Sequence, residues 1–227
     1  MIRAAPGLVI ALMALPVAAG LLGAVLPAFG YFPALGGDAL TLAPWRDLLA
    51  WPGIGAAVRL SLVTGAGATL LSLAATLLIV ATWQGTRSFR AITSLLAPLL
   101  SLPHAAAAFG LAFLIAPSGW VARALSPWAT GWTRPPDLLI VHDPNGLTLT
   151  AGLMLKEVPF LMLMTLAALG QSDSARRMAV ARSLGYGRVT CWAKTVLPAV
   201  YAQIRLPVFA VLAYSMSVVD VALILGP

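Results

Sequence analysis

Residues 60–86, LSLVTGAGATLLSLAATLLIVATWQGT, form the stretch of sequence that decides the fold class. This stretch carries no charged side chain and is longer than the roughly 20 apolar residues that an α-helix needs to cross a bilayer. Two other uncharged stretches, 4–37 and 91–122, also exceed that length. Uncharged sequence alone therefore predicts three transmembrane helices.

Two further apolar stretches contain isolated charges and are also predicted to span. Residues 146–170 include Lys156 and Glu157, and residues 201–225 include Asp220. The chain of 227 residues is 60% hydrophobic and 9% charged, with a mean hydropathy of +0.94, whereas a soluble domain is about 25% charged. The composition thus predicts an all-α, polytopic transmembrane helix bundle with about five spans. We read the first span as a permanent anchor, because a secretory signal has an apolar core of only about 7–15 residues.

The basic residues are unevenly distributed between the two sides of the predicted spans. With the amino terminus in the cytoplasm, nine of the 14 lysines and arginines fall on the inner side: Arg3, Arg87, Arg90, Arg176, Arg177, Arg182, Arg188, Lys194 and Arg205. The outer side receives Arg46, Arg59, Arg123 and Arg134, offset by Asp38, Asp47, Asp137 and Asp143. This asymmetry follows the positive-inside rule, in which lysine and arginine concentrate in cytoplasmic loops. We therefore expect a cytoplasmic amino terminus.

Residues 171–198, QSDSARRMAVARSLGYGRVTCWAKTVLP, interrupt the apolar sequence with a basic, glycine-containing segment on the predicted inner side. Its Ser/Asp opening is typical of residues that accept hydrogen bonds from the first amides of a helix. The pattern predicts a helix over 175–184 that ends at Gly185, since glycine adopts a left-handed conformation without steric cost. A second helix is predicted to begin near Arg188 and to run until Pro198.

The predicted 175–184 helix has one face of small side chains. Met178, Ala181 and Gly185 share that face at i, i+3 and i+7 spacing, which permits close approach of another surface. The arginines around this face also suit a basic helix that lies on lipid phosphates. The residues by themselves leave docking onto a partner and lying on the membrane as alternatives.

The spacing of the 171–198 segment resembles the cytoplasmic signature of binding-protein-dependent ABC importer permeases: Glu-Ala-Ala, three residues, Gly, nine residues, Ile-x-Leu-Pro. Ala181, Gly185, Leu197 and Pro198 match that pattern at the correct intervals. The sequence departs from it at three positions, where Ala179 replaces Glu, Val180 replaces Ala and Thr195 replaces Ile.

The resemblance implies that 171–198 is a coupling loop held by a separate ATPase. The residues expected to couple to that ATPase are Arg176, Met178, Ala179, Ala181, Arg182, Gly185, Leu197 and Pro198. Residues 101–120 and 155–173 also resemble the iron, thiamine, sulfate and polyamine branch of these type I importers, and most of all its thiamine-type permeases. The resemblance covers most of residues 55–227, predicted as the permease core after a first helix and outer loop at 1–54. Because this branch often joins two homologous halves, we interpret the chain as an incomplete first half of a longer permease.

No catalytic or metal-binding residues are predicted in this chain. A nucleotide-binding phosphate loop needs Gly-Lys followed by Ser or Thr, and neither lysine follows a glycine. ATP and Mg²⁺ are thus expected on a partner ATPase dimer, as the resemblance implies, with no cofactor in this chain. His104, His142 and Cys191 are the soft metal ligands, but the predicted topology separates them.

Four ionisable residues inside the predicted spans are candidates to line a substrate path: His104, Lys156, Glu157 and Asp220. Such residues are costly in a membrane and often functional. Each also has a structural interpretation: His104 bonded to a backbone carbonyl, Lys156 and Glu157 paired within the bundle, and Asp220 reaching the membrane surface. Pro98 and Pro103 release backbone carbonyls, so their surroundings should be protein or a water-filled path.

The resemblance therefore implies the permease subunit of an ATP-driven importer in a bacterial inner membrane, which works by alternating access rather than as an enzyme. The partners expected are the ATPase dimer, a periplasmic substrate-binding protein, a second permease half and membrane lipid, but no nucleic acid. A thiamine-like solute is the favoured substrate. The alternatives are a secondary transporter or channel driven by an ion gradient, and a structural membrane subunit without transport.

Overall fold

The computed structural model describes residues 5–227 and the side chains from residue 7 onward. Every regular element in these residues is helical apart from one isolated β-bridge, and five helices are long and apolar enough to cross a membrane. They are Gly7–Ala28, Ile54–Trp83, His104–Leu125, Leu147–Gly170 and Arg188–Ser217. The predicted all-α bundle with about five spans is confirmed. Arg3, which was counted among the basic residues on the predicted inner side, and the amino terminus lie outside the described residues.

The chain divides into two compact units, and the first extends to residue 58. Its long helix α1 (Ala5–Ala28) is followed by a 3₁₀ turn at Pro33–Leu35 and by α2 (Ala43–Ala50). Gly30 and Gly37 form a tight connection in which Phe32 and Gly37 form an antiparallel bridge. The side chains of α1 are almost all exposed, as expected for a helix whose surroundings are apolar on every side.

The second unit, residues 59–227, contains the packed core. Three helices supply most of it: α3 (Ile54–Trp83), α8 (Leu147–Gly170) and α11 (Leu197–Ser217). Their meeting faces carry small residues and hydroxyls, so the helix axes can approach closely. Gly65 of α3 shows this directly, because a Cβ placed there would lie 2.8 Å from Met216 Cγ of α11.

The third predicted span, 91–122, is broken rather than continuous. Its first part folds as the short helices α4 (Arg87–Ser94) and α5 (Leu96–Ser101), and the chain turns extended at Leu102 before α6 (His104–Ile115) begins. Pro103 causes the break, because its ring lacks the N–H that would bond Leu99 and disfavours helical backbone at Leu102. The break releases carbonyl groups inside the bundle, as the sequence led us to expect.

Residues 117–146 connect α6 to α8 through one short helix, α7 (Trp120–Leu125). Asp143 lies near the end of this connection. Its carboxylate accepts hydrogen bonds from the backbone N–H groups of Asn145, Leu147 and Thr148 at 3.1, 2.9 and 2.8 Å. Burial would raise the pKa of Asp143, but these hydrogen bonds to its charged form outweigh burial and hold the pKa below its ordinary value. The carboxylate therefore caps the start of α8.

The last span begins earlier than predicted. Instead of running over 201–225, one continuous helix extends through α10 (Arg188–Cys191), a π turn at Trp192–Val196 and α11, and a separate α12 (Asp220–Leu225) follows. The prediction that a helix from Arg188 stops at Pro198 is wrong for the same reason. In the wider π turn the Leu197 N–H bonds Trp192 O, and Pro198, in the first turn of α11, enters the helix without ending it.

Candidate functional site

The 171–198 segment folds as sequence analysis predicted in its main outline. Helix α9 (Ser174–Ser183) begins and ends one residue before the predicted limits, and Gly185 turns the chain at a φ of +84°. The expected side-chain cap at the start of α9 is absent, because Asp173 occupies the N-cap position without bonding the first amides.

Two members of the small-residue face of α9, Met178 and Ala181, are turned toward this chain's own helices, whereas Gly185 is exposed. Ala181 is only 5% exposed, and Met178 packs against the core cluster formed by α3, α8 and α11. A small side chain at 181 lets the helix lie flat on the bundle, just as it would permit close approach of a partner. The outward face consequently carries Arg176, Val180 and Leu184.

The eight residues expected to couple to an ATPase divide into three groups. The exposed ones are Arg176, Ala179, Arg182, Gly185 and Pro198; Met178 and Leu197 are half-buried; Ala181 is buried. Most of these eight residues are exposed, but Met178, Leu197 and Ala181 pack against this chain's own helices. Through that packing they can position the exposed residues for contact with a partner.

A cleft of about 470 Å³ lies between the outward face of α9 and the helix that follows. Its lining combines exposed apolar side chains with a basic rim: Arg176, Arg177, Val180, Leu184, Tyr186 and Lys194. The Lys194 ammonium lies 5.0 Å from the centre of the Tyr186 ring, within the range of a cation–π contact. Sequence reasoning missed Val180, Leu184 and Tyr186. The i, i+4 spacing of two large apolar residues on a basic helix was the signal that could have identified the first two.

Lys156 of α8 fills the break between α5 and α6. Its ammonium donates to the carbonyl oxygens of Leu99, Leu100 and Leu102 at 2.8, 3.1 and 2.6 Å. Pro103 and the extended backbone at Leu102 leave these carbonyls without helical donors. The charge of Lys156 thus meets the negative end of α5 inside the bundle, and its partners are backbone carbonyls rather than the neighbouring Glu157.

Glu157 lies on a different side of α8, between α3 and α11. The Ser215 hydroxyl of α11 lies within hydrogen-bond distance of Glu157 Oε1 and of Val211 O, and its single proton is donated to one of these oxygens at a time. Among the described residues, Glu157 Oε2 and the Ser72 hydroxyl of α3 are buried and have no hydrogen-bond partner. Both charged residues of α8 are buried, Lys156 at 7% and Glu157 at 4% exposure.

His104 begins α6 and stacks at a tilt on Tyr214 of α11, with the ring centres 4.8 Å apart. Lys156 bonds the carbonyl of Leu102, just before His104, and Ser215, next to Tyr214, contacts Glu157. Asp220 begins α12, which packs against α6. The candidate path residues therefore lie on elements that meet around Tyr214. His104 and Tyr214 are half-buried and Asp220 is exposed, so the accessible part of this cluster is two aromatic rings and one carboxylate.

Tyr214 was not singled out from the sequence. It directly precedes the small polar run Ser215-Met216-Ser217. A tyrosine inside an apolar helix was the available signal, because its hydroxyl needs a polar neighbour or water. Only the packing of α11 against α6 brings its ring to His104.

Comparison with known proteins identifies one informative relative. The chain is 36% identical over 193 residues to the inner membrane ABC transporter permease protein YnjC of Escherichia coli (strain K12), an overlap of 83% of this chain and 35% of that protein. The chain thus spans about a third of the length of the curated relative that it matches. No family model matches the chain. The similarity supports a membrane permease subunit of an ABC transporter in general terms and does not bear on the thiamine-type branch.

Proposed function

We propose that this chain is part of the membrane-spanning permease subunit of an ATP-driven ABC importer. The observation that carries the proposal is the exposed 171–198 segment, whose helix α9 and Gly185 turn stand at the signature spacing of such permeases. Similarity to an ABC transporter permease over 83% of the chain supports the same class. The segment is the surface that a cytoplasmic ATPase dimer would grip, and ATP and Mg²⁺ would bind to that dimer.

In this mechanism a periplasmic binding protein delivers the solute and alternating access moves it inward. ATP binding closes the ATPase dimer, and the motion enters this chain through α9. A second permease half completes the pathway. Membrane lipid surrounds the apolar spans, whose exposed side chains include those of α1.

The accessible part of the polar cluster suggests the chemical class of the solute. Asp220 supplies a carboxylate, and His104 and Tyr214 supply stacked rings 4.8 Å apart. Lys156 is nearby, but its ammonium donates to three carbonyls. A small aromatic cation, such as a thiamine-like solute, would find both charge and ring partners here.

Replacing Asp220 by Asn should reduce uptake of such a cation. The ATP hydrolysis that does not depend on uptake should be retained.

The proposed ATPase-binding surface around α9 is tested with two leucines of similar exposure, one in the 171–198 segment and one in the 117–146 connection. Leu184 is 71% exposed beside the cleft, and Leu139 is 70% exposed in the 117–146 connection. In the complete transporter, Leu184→Asp should abolish co-purification of the ATPase and ATP-driven uptake, whereas Leu139→Asp should retain ATPase binding. Retention of both properties by the Leu184→Asp transporter would contradict the proposal.

Proteoliposomes that contain the complete transporter distinguish this importer from an ion-driven secondary transporter. Buried Glu157, with one oxygen unpaired, is the group that would favour such a transporter, because ion-coupled carriers use intramembrane carboxylates. Uptake that follows an imposed proton gradient without ATP, and that is lost in Glu157→Gln, would support the secondary transporter. Uptake that requires ATP and the partner ATPase supports the importer.

A further inference from the structure

Arg188 joins the 171–198 segment to a second transmembrane helix. It is the first residue of α10, and its guanidinium reaches the end of α3, where Nε donates to Ala81 O at 3.0 Å and a terminal nitrogen donates to Gln84 O. The partners lie more than 100 residues apart in the sequence. The contact is therefore a tertiary one that the local pattern of the segment does not contain.

The end of α3 is suited to receive this side chain. Helix α3 ends at Trp83, and Gly85 turns the chain at a φ of +84°. The last carbonyls of a helix lack intrahelical donors and carry partial negative charge. A guanidinium offers several N–H groups in a rigid fork, so it can bond two such carbonyls together and hold a fixed orientation.

Helix α9 lies against this junction. Gln84 and Arg188 line one crevice of about 290 Å³ with side chains of α9, including Ala175, Met178 and Ala179. Met178 also packs on the core cluster that contains Val80 and Ala81 of α3. The end of α3, helix α9 and the start of α10 thus form one packed junction.

We propose that Arg188 is a positioning residue that makes α3 move together with α9. Through the covalent chain alone, a displacement of α9 acts on the span that begins at Arg188. The guanidinium adds a second route, because two charge-assisted hydrogen bonds tie the same junction to α3. One movement of the segment is then delivered to two spans that pack against α8 in the core. This inference rests on the proposed importer function.

The test uses the complete transporter with its ATPase in proteoliposomes. Arg188→Gln should retain ATPase binding and ATP hydrolysis, but the uptake per ATP should fall about tenfold, because both hydrogen bonds to the charged group are lost. Arg188→Lys should be intermediate, since it keeps the charge on a shorter side chain without the fork. The matched control is Arg90→Gln in α4, an exposed arginine whose side chain forms no hydrogen bond within the described residues.

A distance measurement separates transmission from simple stability. Spin labels at Leu78 of α3 and Ser183 of α9 occupy exposed positions. With Arg188 present, their separation should be the same in nucleotide-free and ATP-trapped states, because the two helices move as one body. In Arg188→Gln, and to a smaller degree in Arg188→Lys, the separation should change on trapping.

Three results would overturn the inference. They are wild-type uptake per ATP in Arg188→Gln, a label separation that changes with nucleotide in the wild type, and a separation that stays constant in both Arg188 variants. Failure of the proposed importer function would appear differently, as a wild-type chain that binds no ATPase, and it would overturn both proposals.

Discussion

Lys156 illustrates how a single basic side chain can be accommodated inside a membrane bundle. Its ammonium bonds three backbone carbonyls that Pro103 and the extended Leu102 leave without helical donors. Arg188 makes the same kind of contact at the end of α3. In both cases a cation compensates a helix terminus that would otherwise be left unsatisfied.

Replacing Lys156 by Met should destabilise the bundle, because three buried carbonyl groups lose their donor. The loss of a charge-assisted donor to buried acceptors is expected to cost about 2–4 kcal/mol. Thermal unfolding of the purified protein in detergent measures the effect. Lys194→Met is the control, because Lys194 is exposed and its ammonium lies over the ring of Tyr186 rather than in a buried set of carbonyls. Equal unfolding temperatures for the two variants would contradict this account of Lys156.

Asp143 makes the stability of the α8 start dependent on pH. The folded pKa lies below the ordinary value of 3.8, so the carboxylate contributes stability above that pH and loses it as the pH falls through the folded value. Asp143→Asn should lower the stability at neutral pH by about 1 kcal/mol, because the asparagine has no charge to interact with the start of α8 and keeps only one acceptor oxygen for the three N–H groups. The variant should also show less additional loss on acidification than the wild type.

Unfolding curves at neutral and acidic pH provide this measurement. Asp137→Asn is the control, because Asp137 is an exposed carboxylate in the same connection. An Asp143→Asn variant that retained the full wild-type acid sensitivity would show that other groups are responsible for it.

Among the elements, α8 organises the core because it carries contacts on several sides. Gly152 faces α12, where a Cβ would collide with Leu225 Cδ1. Lys156 faces the break between α5 and α6, and Glu157 faces Ser215 of α11. The absence of a side chain at Gly152 allows α12 to pack closely, as small residues do in membrane helices generally.

Gly152→Val should force α12 away from α8 and cost about 1–3 kcal/mol, the usual range for overpacking. Limited proteolysis near α12 and thermal unfolding both report the separation. Gly67→Val is the matched control in α3, because a Cβ at Gly67 meets nothing within 4 Å. A Gly152→Val protein that resembles Gly67→Val in both measurements would show that α12 does not depend on this close approach.

At the scale of the whole molecule, the second unit has two distinct ends. The contact of Arg188 with Ala81 and Gln84 brings the 171–198 segment to the end of α3. A hydrogen bond between His142 and Gly226 O brings the 117–146 connection to the end of α12. The basic residues concentrate at the first of these ends, which the positive-inside rule assigns to the cytoplasm.

Membrane-impermeant thiol labelling tests this orientation. In intact spheroplasts, Thr133→Cys should react and Ser183→Cys should not, and Ser183→Cys should react after the membrane is opened. Both positions are exposed, and the natural Cys191 is 1% exposed, so it contributes little background. Labelling of Ser183→Cys from the outside would invert the topology and remove the basis for a cytoplasmic ATPase partner.

Sequence alone determined the membrane class, the number of spans and the turn at Gly185, because each depends on local composition. A long apolar helix satisfies its own backbone, and a glycine turn needs only a residue without Cβ. Tertiary structure alone decided which face of α9 is free, where Lys156 and Arg188 find their carbonyls, and that Tyr214 joins His104. For the two basic side chains, those outcomes depend on contacts between residues that lie 54 to 107 positions apart in the sequence. Local composition carries no record of such pairings, because packing of the whole bundle selects them.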